Sequence, residues 1–269
     1  MMDQGGGNLM TTHDTEVIPS AHRPRVRNLT IADLRASLRA GLHDFRRAPQ
    51  FGLFFSAVYV LGGFLMLWIG AGHVTWILAT SLGFPLLAPF AAAGLYEVSR
   101  RLETGAPLVW SEVLGIVWRE RTRQLPWLGA IIVIYFLFWT FLAHMIFALF
   151  MGLSTMTNIS ASYEVFLTTN GLAMIAVELG IGAALAFLLF SLTVVSLPLV
   201  LDREVDFVTA MLVSLDTVRQ NPVTMLIWAS TIALLSFVAL LPWFLGLMCP
   251  FMMLFWRGTK LALSFCLLT

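Results

Sequence analysis

Residues 119–152 read RERTRQLPWLGAIIVIYFLFWTFLAHMIFALFMG, and this stretch decides the fold. Arg119, Arg121 and Arg123 stand before a run, 126–152, that contains no Lys, Arg, Asp or Glu. A helix rises about 1.5 Å per residue, so this run is long enough to cross a hydrocarbon core about 30 Å thick. Outward from it the same pattern recurs. Further apolar runs occupy 51–70, 73–96, 171–201 and 222–241, with a shorter one at 243–256. The composition agrees: 59% of residues are hydrophobic and only 12% are charged. A soluble domain of this length could not hide that much apolar surface.

The charges orient the runs. All sixteen basic residues fall into four patches of seven, five, two and two. Arg23, Arg25, Arg27, Arg35, Arg39, Arg46 and Arg47 precede the first run. Arg100, Arg101, Arg119, Arg121 and Arg123 separate the second from the third. Arg203 and Arg219 separate the fourth from the fifth, and Arg257 and Lys260 end the sixth. The connections 71–72, 153–170 and residue 242 carry no Lys or Arg. Basic residues favour the cytoplasmic side, so the pattern predicts six spans with both termini in the cytoplasm. The expected fold class is an all-α polytopic membrane protein: six transmembrane helices in three hairpins, in a cytoplasmic membrane.

Each hairpin is preceded by a stretch with helical apolar spacing and then a proline. Leu34, Leu38, Leu42 and Phe45 come before Pro49; Trp110, Val113, Leu114 and Val117 before Pro126; Val208, Met211, Leu212 and Leu215 before Pro222. These read as amphipathic helices on the cytoplasmic membrane surface. Proline suits the first turn of the helix that follows, where its missing N–H costs nothing. Pro85, Pro89, Pro198 and Pro250 lie in the second run of each hairpin and predict kinks there. Residues 1–28, polar and containing Gly5-Gly6-Gly7, read as a disordered cytoplasmic tail. Residues 29–269 form the membrane domain, divided into three repeats, 29–105, 106–204 and 205–269. Cys249 and Cys266 make no CxxC pair and read as buried apolar thiols.

Several segments carry a resemblance. Residues 34–44 with Pro49, 83–89, and 94–105 (GLYEVSRRLETG) look like the N-terminal half of one family. Ser196-Leu-Pro198, Leu201-Asp-Arg203, Asp206, Asn221-Pro222 and Trp228 look like its C-terminal half. The chain resembles a family of predicted integral membrane proteins of unknown function, mostly proteobacterial, over roughly residues 30 to 262, a range that takes in every predicted span. The resemblance implies no catalytic residues. Some members are labelled cytochrome c oxidase subunit I, but haem–copper chemistry needs several intramembrane histidines. Of His13, His22, His43, His73 and His144, only His144 lies well inside a run, which argues against haem or copper.

Ionisable groups inside a membrane are costly and so deserve a hypothesis. His144 lies near the outer end of span three and Glu178 near the outer start of span four. At matched depths on adjacent spans, the two are expected to face each other or share a cavity. They would serve either as a helix-locking hydrogen bond or as a proton- or cation-handling pair. The small residues Ala176, Gly180 and Ala184, with Gly182 and Ala186, read as a packing face. A second cluster is expected under the membrane, from Glu97, Arg100, Arg101 and Glu103 after span two and Asp202, Arg203, Glu204 and Asp206 after span four. It reads chiefly as ion pairs that fix hairpin register, with arginines against anionic inner-leaflet lipids. No phosphate loop, nucleophile elbow, HExxH or zinc spacing occurs, and no basic-aromatic surface suits nucleic acid. No metal or cofactor is expected. Two functions remain open: a non-enzymatic accessory, assembly or scaffold protein with a membrane-protein partner, and a transporter or channel for a small or amphipathic solute. A lipid-directed enzyme using Glu97 or Asp202 ranks third.

Overall fold

The fold comes from a computed structural model that describes residues 28–68, 74–152, 166–203 and 205–240. The expected sixth span, Glu204, Pro250, Cys249, Cys266, the N-terminal tail and most of the 153–170 connection lie outside these residues. Among the described residues the chain is all helix: α1 Ile31–Arg47, α2 Pro49–Trp68, α3 Val74–Thr104, α4 Trp110–Glu120, α5 Leu125–Met151, α6 Thr169–Thr193, α7 Ser196–Asp202, α8 Phe207–Gln220 and α9 Pro222–Leu240. Among the described residues two stretches are long and apolar enough to cross a membrane, Leu125–Met151 and Thr169–Asp202. A third appears if Phe207–Gln220 and Pro222–Val238, bent by 107°, count as one.

Helix ends follow local chemistry. Thr30 and Asp33 form a reciprocal capping box at the start of α1. Gly105 adopts φ 69° and lets the Ala106 N–H reach back to the Arg101 carbonyl at 3.0 Å, which stops α3. Between those ends α3 continues through both Pro85 and Pro89. It packs most extensively against α5, and α5 against α6. Gly94 brings α3 close to α2, because an added Cβ would lie only 2.0 Å from the Phe55 ring.

Two corners share one geometry. Ala48 (φ −139°, ψ 57°) separates α1 from Pro49, and its N–H bonds the Asp44 carbonyl at 2.9 Å. Asn221 (φ −128°, ψ 50°) separates α8 from Pro222, and its N–H bonds the Thr217 carbonyl at 3.1 Å. A following proline drives each residue out of the helical region. The buried residues ahead of each corner also match in register: Ser37, Gly41 and Asp44 in α1, and Ala210, Ser214 and Thr217 in α8. Asn221 further accepts the Leu29 N–H at 2.7 Å, and Thr224 Oγ1 donates to the Leu29 carbonyl at 3.1 Å. These two bonds tie the second corner to the chain ahead of α1.

The break between α6 and α7 has a definite cause. Pro198 has no N–H to continue the ladder. Ser214, fully buried, inserts its hydroxyl into the gap. It accepts from the Val195 N–H at 3.1 Å and donates to the Ser191 carbonyl at 2.7 Å. A side chain inserted in the i→i−4 ladder is a known origin of helix bends.

The apolar stripes are divided between the core and the outer surface: Leu34, Val113 and Met211 are buried, whereas other stripe residues face outward. Val208 and Leu212 of α8 are exposed, while Ser214 and Thr217 are buried. On α4, Val113 is buried but Trp110 and Leu114 are exposed. On α1, Asp44 turns inward. Lipid welcomes apolar side chains, so the polar ones seek the interior, where they find partners.

Ser214→Ala should therefore cost about 1–3 kcal/mol, because two buried backbone groups lose their partner. Leu212→Ala should change stability by no more than about 0.5 kcal/mol. Thermal unfolding in detergent micelles compares them, and the reverse order would overturn this assignment of faces.

Candidate functional site

The polar end of the bundle is organised by one turn of α3. Glu97 is only 2% exposed, and it lies just beyond the apolar run that ends at Tyr96. It accepts hydrogen bonds from Arg100 Nε and Nη2, both at 2.9 Å, and from Arg101 Nε at 2.7 Å. Arg101 Nη1 also donates to the Pro107 carbonyl at 2.9 Å and to the Glu112 carboxylate, which carries the connection to α4. Tyr96 donates its hydroxyl proton to Asp202 at 2.6 Å, which joins α3 to α7. Ser99 donates to Asp44 at 2.5 Å, which joins α3 to α1. Burial alone would raise the Glu97 carboxyl; the arginine hydrogen bonds outweigh it and hold it below the usual glutamate range.

Of the expected cytoplasmic cluster, the structure thus joins Glu97, Arg100 and Arg101 directly. Asp202 arrives through Tyr96, and Glu103 is exposed. Asp206 caps α8, accepting the Thr209 N–H at 2.9 Å, a bond that lowers its carboxyl below the ordinary aspartate range. The Arg203 side chain makes no hydrogen bond or ion pair among the described residues. Tyr96, Ser99 and Asp44 lie in segments that carry the family resemblance but were not expected in the cluster. The signal for Tyr96 and Ser99 was their place in the same helical turn as Glu97.

Arg203 and Asp206 instead line a cavity of about 380 Å³ with Glu120, Arg123 and Gln124, walled also by Val200 and Val205. Glu120 is 3% exposed. Arg123 Nη1 donates to its Oε1 at 3.3 Å, while Oε2 is buried with no hydrogen-bond partner among the described residues. Nearby on the outer surface, the Arg121 guanidinium stacks 3.4 Å over the exposed Trp118 ring.

Inside the membrane run, α5 and α6 are neighbours as expected, but His144 and Glu178 are not joined. The seam is marked by Tyr135 Oη donating to the Leu185 carbonyl at 2.6 Å, by Trp139 lying on Gly182, and by buried Ile146 and Met174. His144 lies nine residues beyond Tyr135, about two and a half turns, so it points away from that seam. It is exposed, and its Nδ1 lies 2.7 Å from the carbonyl of Thr140 on its own helix. Equal depth did not imply facing sides. Glu178 lies on the seam side, one turn from both Met174 and Gly182, half-buried and without a hydrogen bond among the described residues. The packing face is also corrected. Gly182 receives the Trp139 ring, whereas Ala176, Gly180 and Ala184 are exposed and Gly180 has open space around it. Among the described residues no three His, Cys, Asp or Glu side chains gather as a metal site would require.

Comparison with known proteins gives one family. Residues 77–202, from α3 to the end of α7, match the family described as predicted integral membrane protein (DUF2189), whose function is unknown. This is the family that the sequence resembles, found over a shorter segment than the expected 30 to 262. No curated protein and no solved structure matches the chain. The family match and the apolar helices together mark an integral membrane protein.

Glu97 and Asp206 both have lowered carboxyl pKa values, so their stabilisation is present above the unfolded range near 4 and is lost as pH falls through the folded values. Melting followed by circular dichroism in detergent should be flat from about pH 8 to about pH 5 and decline below that. Glu97→Gln should be less stable at neutral pH and show a shallower acid decline. An unchanged acid profile would mean that the Glu97 pairing is not what acid disrupts.

Proposed function

We propose that this protein is a non-enzymatic accessory, assembly or scaffold protein of the cytoplasmic membrane. One observation carries the reading. The polar groups nearest to a reactive cluster are engaged in holding helices together. Glu97 is sealed from solvent by two arginines, and Tyr96 and Ser99 are bonded to α7 and α1. A group that reacts with substrate must be reachable and differently bonded along the reaction path. These groups brace the fold.

In this proposal six spans form three hairpins, each entered through a helix on the inner leaflet, with both termini cytoplasmic. The matching corners at Ala48-Pro49 and Asn221-Pro222, and the matched buried faces before them, support a repeated unit. The exposed apolar residues Leu114 and Trp118 of α4 and Val208 and Leu212 of α8 suit contact with the acyl-chain boundary. The basic residues beside them suit anionic lipid. A membrane-protein partner would lie against the spans; nucleic acid has no place in the scheme. Isolation from native membranes in mild detergent, with the tag placed in turn on each component, should yield a stoichiometric membrane-protein partner. A chain that purifies alone under every mild condition would count against the scaffold reading.

Transport is the second reading, favoured by Glu178 alone. A half-buried carboxylate within a membrane helix, with no hydrogen bond among the described residues, is costly unless it has a use. On this reading Glu178→Gln changes solute flux or its pH dependence in proteoliposomes without lowering stability. Unaltered flux across a panel of small amines and cations would remove it.

A further inference from the structure

We propose that the outward face of α1 binds anionic phospholipid headgroups of the inner leaflet in preference to zwitterionic ones. The inference rests on the reading of α1 as a helix on that leaflet, given above; it does not need the accessory role.

Arginines make the face. Arg35, Arg39 and Arg46 fall within about 40° of one another around the helix axis, along about 16 Å of it. His43 and Arg47 flank them. All of these side chains are exposed, and none makes a hydrogen bond or ion pair among the described residues. The carboxylates of α1 are engaged elsewhere. Asp33 accepts from the Thr30 N–H and hydroxyl at 2.8 and 2.6 Å, and Asp44 accepts from the Ser99 hydroxyl. Buried Ser37, Gly41 and Asp44 lie on the opposite side of the helix, about 180° away. The cations therefore point away from the bundle, with no anion among the described residues to meet them.

The fold places this face. α8 is bent by 107° from α9. The same backbone angles at Ala48 turn α1 off α2, so α1 is a cross-piece where an apolar run begins. That is the depth at which a bilayer presents its headgroups. Aligning the two corners sets Ser37, Gly41 and Asp44 on Ala210, Ser214 and Thr217, and it sets Arg35 and Arg39 on Val208 and Leu212. One position of the fold is thus apolar in α8, where it suits acyl chains, and cationic in α1. Half-buried Leu38, Leu42 and Phe45 lie between the arginines and the bundle.

Charge selects the class of lipid. The face carries no carboxylate, so the ammonium of a zwitterionic headgroup finds no acceptor on it. Guanidinium groups pair with phosphate oxygens through two parallel N–H bonds. An acidic polypeptide would complement the same charges, but only if the face turned to the cytoplasm; headgroup depth favours lipid.

Native mass spectrometry of the full chain, from micelles holding equal amounts of phosphatidylglycerol and phosphatidylcholine, tests this. Phosphatidylglycerol should be retained preferentially. Arg35→Val combined with Arg39→Leu gives α1 the residues that α8 carries at those positions, so the fold should persist, as melting in detergent would show. The preference should fall about thirtyfold, at about fivefold for each arginine near an anionic surface. Arg35→Lys with Arg39→Lys should keep most of it. Arg119→Gln with Arg219→Gln removes the same charge from α4 and α8 and should cost less. Equal retention of the two lipids, or equal losses in the α1 and the α4–α8 variants, overturns the proposal and leaves the placement of α1 standing. Binding of polyglutamate to the chain in phosphatidylcholine nanodiscs, lost with Arg35 and Arg39, would turn the face to the cytoplasm and overturn both.

Discussion

A buried carboxylate must be paired, and the pairing of Glu97 shapes everything around it. Removing one partner of a buried ion pair typically costs about 3–5 kcal/mol, because the other charge is left stranded. Glu97 thus holds Arg100 and Arg101 at the end of α3, and Arg101 extends the constraint to α4 through Pro107 and Glu112. One residue before Glu97, Tyr96 positions α7; two residues after it, Ser99 positions α1. Gly94, one turn earlier, allows α2 to approach. Successive positions on a helix differ by about 100°, so a single turn can address neighbours on every side. The placement of Arg203 and of the cavity beneath α4 follows from where Tyr96 pins α7.

Elsewhere the governing constraint is backbone satisfaction. Within lipid no water can serve an orphaned N–H or carbonyl. The chain accordingly bends only where side chains or helix-end bonds repair the ladder. Ser214 repairs the break at Val195, and at Asn221 a carboxamide both completes the end of α8 and captures Leu29. That the α1 and α8 corners share backbone angles and buried positions, with Asp44 at one and Thr217 at the other, indicates that the geometry tolerates different polar groups. What the two corners share is a backbone carbonyl one turn earlier that accepts the corner N–H, and a proline after it.

The long helices were legible because length and lack of charge are one-dimensional properties. The runs at 126–152 and 171–201 appear as α5 and as α6 with α7, and prolines begin α2 and α9 as expected. The three helices before them were legible as helices with one apolar face; which polar side chains turn into the bundle was not, because alternation of apolar and polar residues does not say which neighbour each polar group meets. Against lipid, Val208 and Leu212 can remain outside, and Ser214 and Thr217 take the interior. The error at His144 has a related origin. Depth along a span can be counted from its ends, whereas azimuth depends on the seam, and the seam is set by Tyr135, Trp139 and Gly182. Of the charged cluster at the end of α3, the ion pairs close in sequence were readable; the bonds from Tyr96 to Asp202 and from Ser99 to Asp44 cross 106 and 55 residues and were not.

These differences share a physical meaning. In a soluble core, apolar surface drives assembly and polar groups are the exceptions that must be accommodated. Within the bilayer the lipid tails are as apolar as leucine, so burying leucine gains little, and polar contacts and close packing must choose the neighbours. The polar end of this chain shows that preference, with a bond from α3 to each of α1, α4 and α7. By the same reasoning, polar groups left without partners are the informative ones. His144 is served by its own helix and Asp206 by its own cap, so neither calls for anything beyond the chain. Glu120 Oε2 is the contrast: it is buried without a hydrogen-bond partner among the described residues, at the turn where α4 gives way to α5, and a buried acceptor in that state costs the full desolvation of the group.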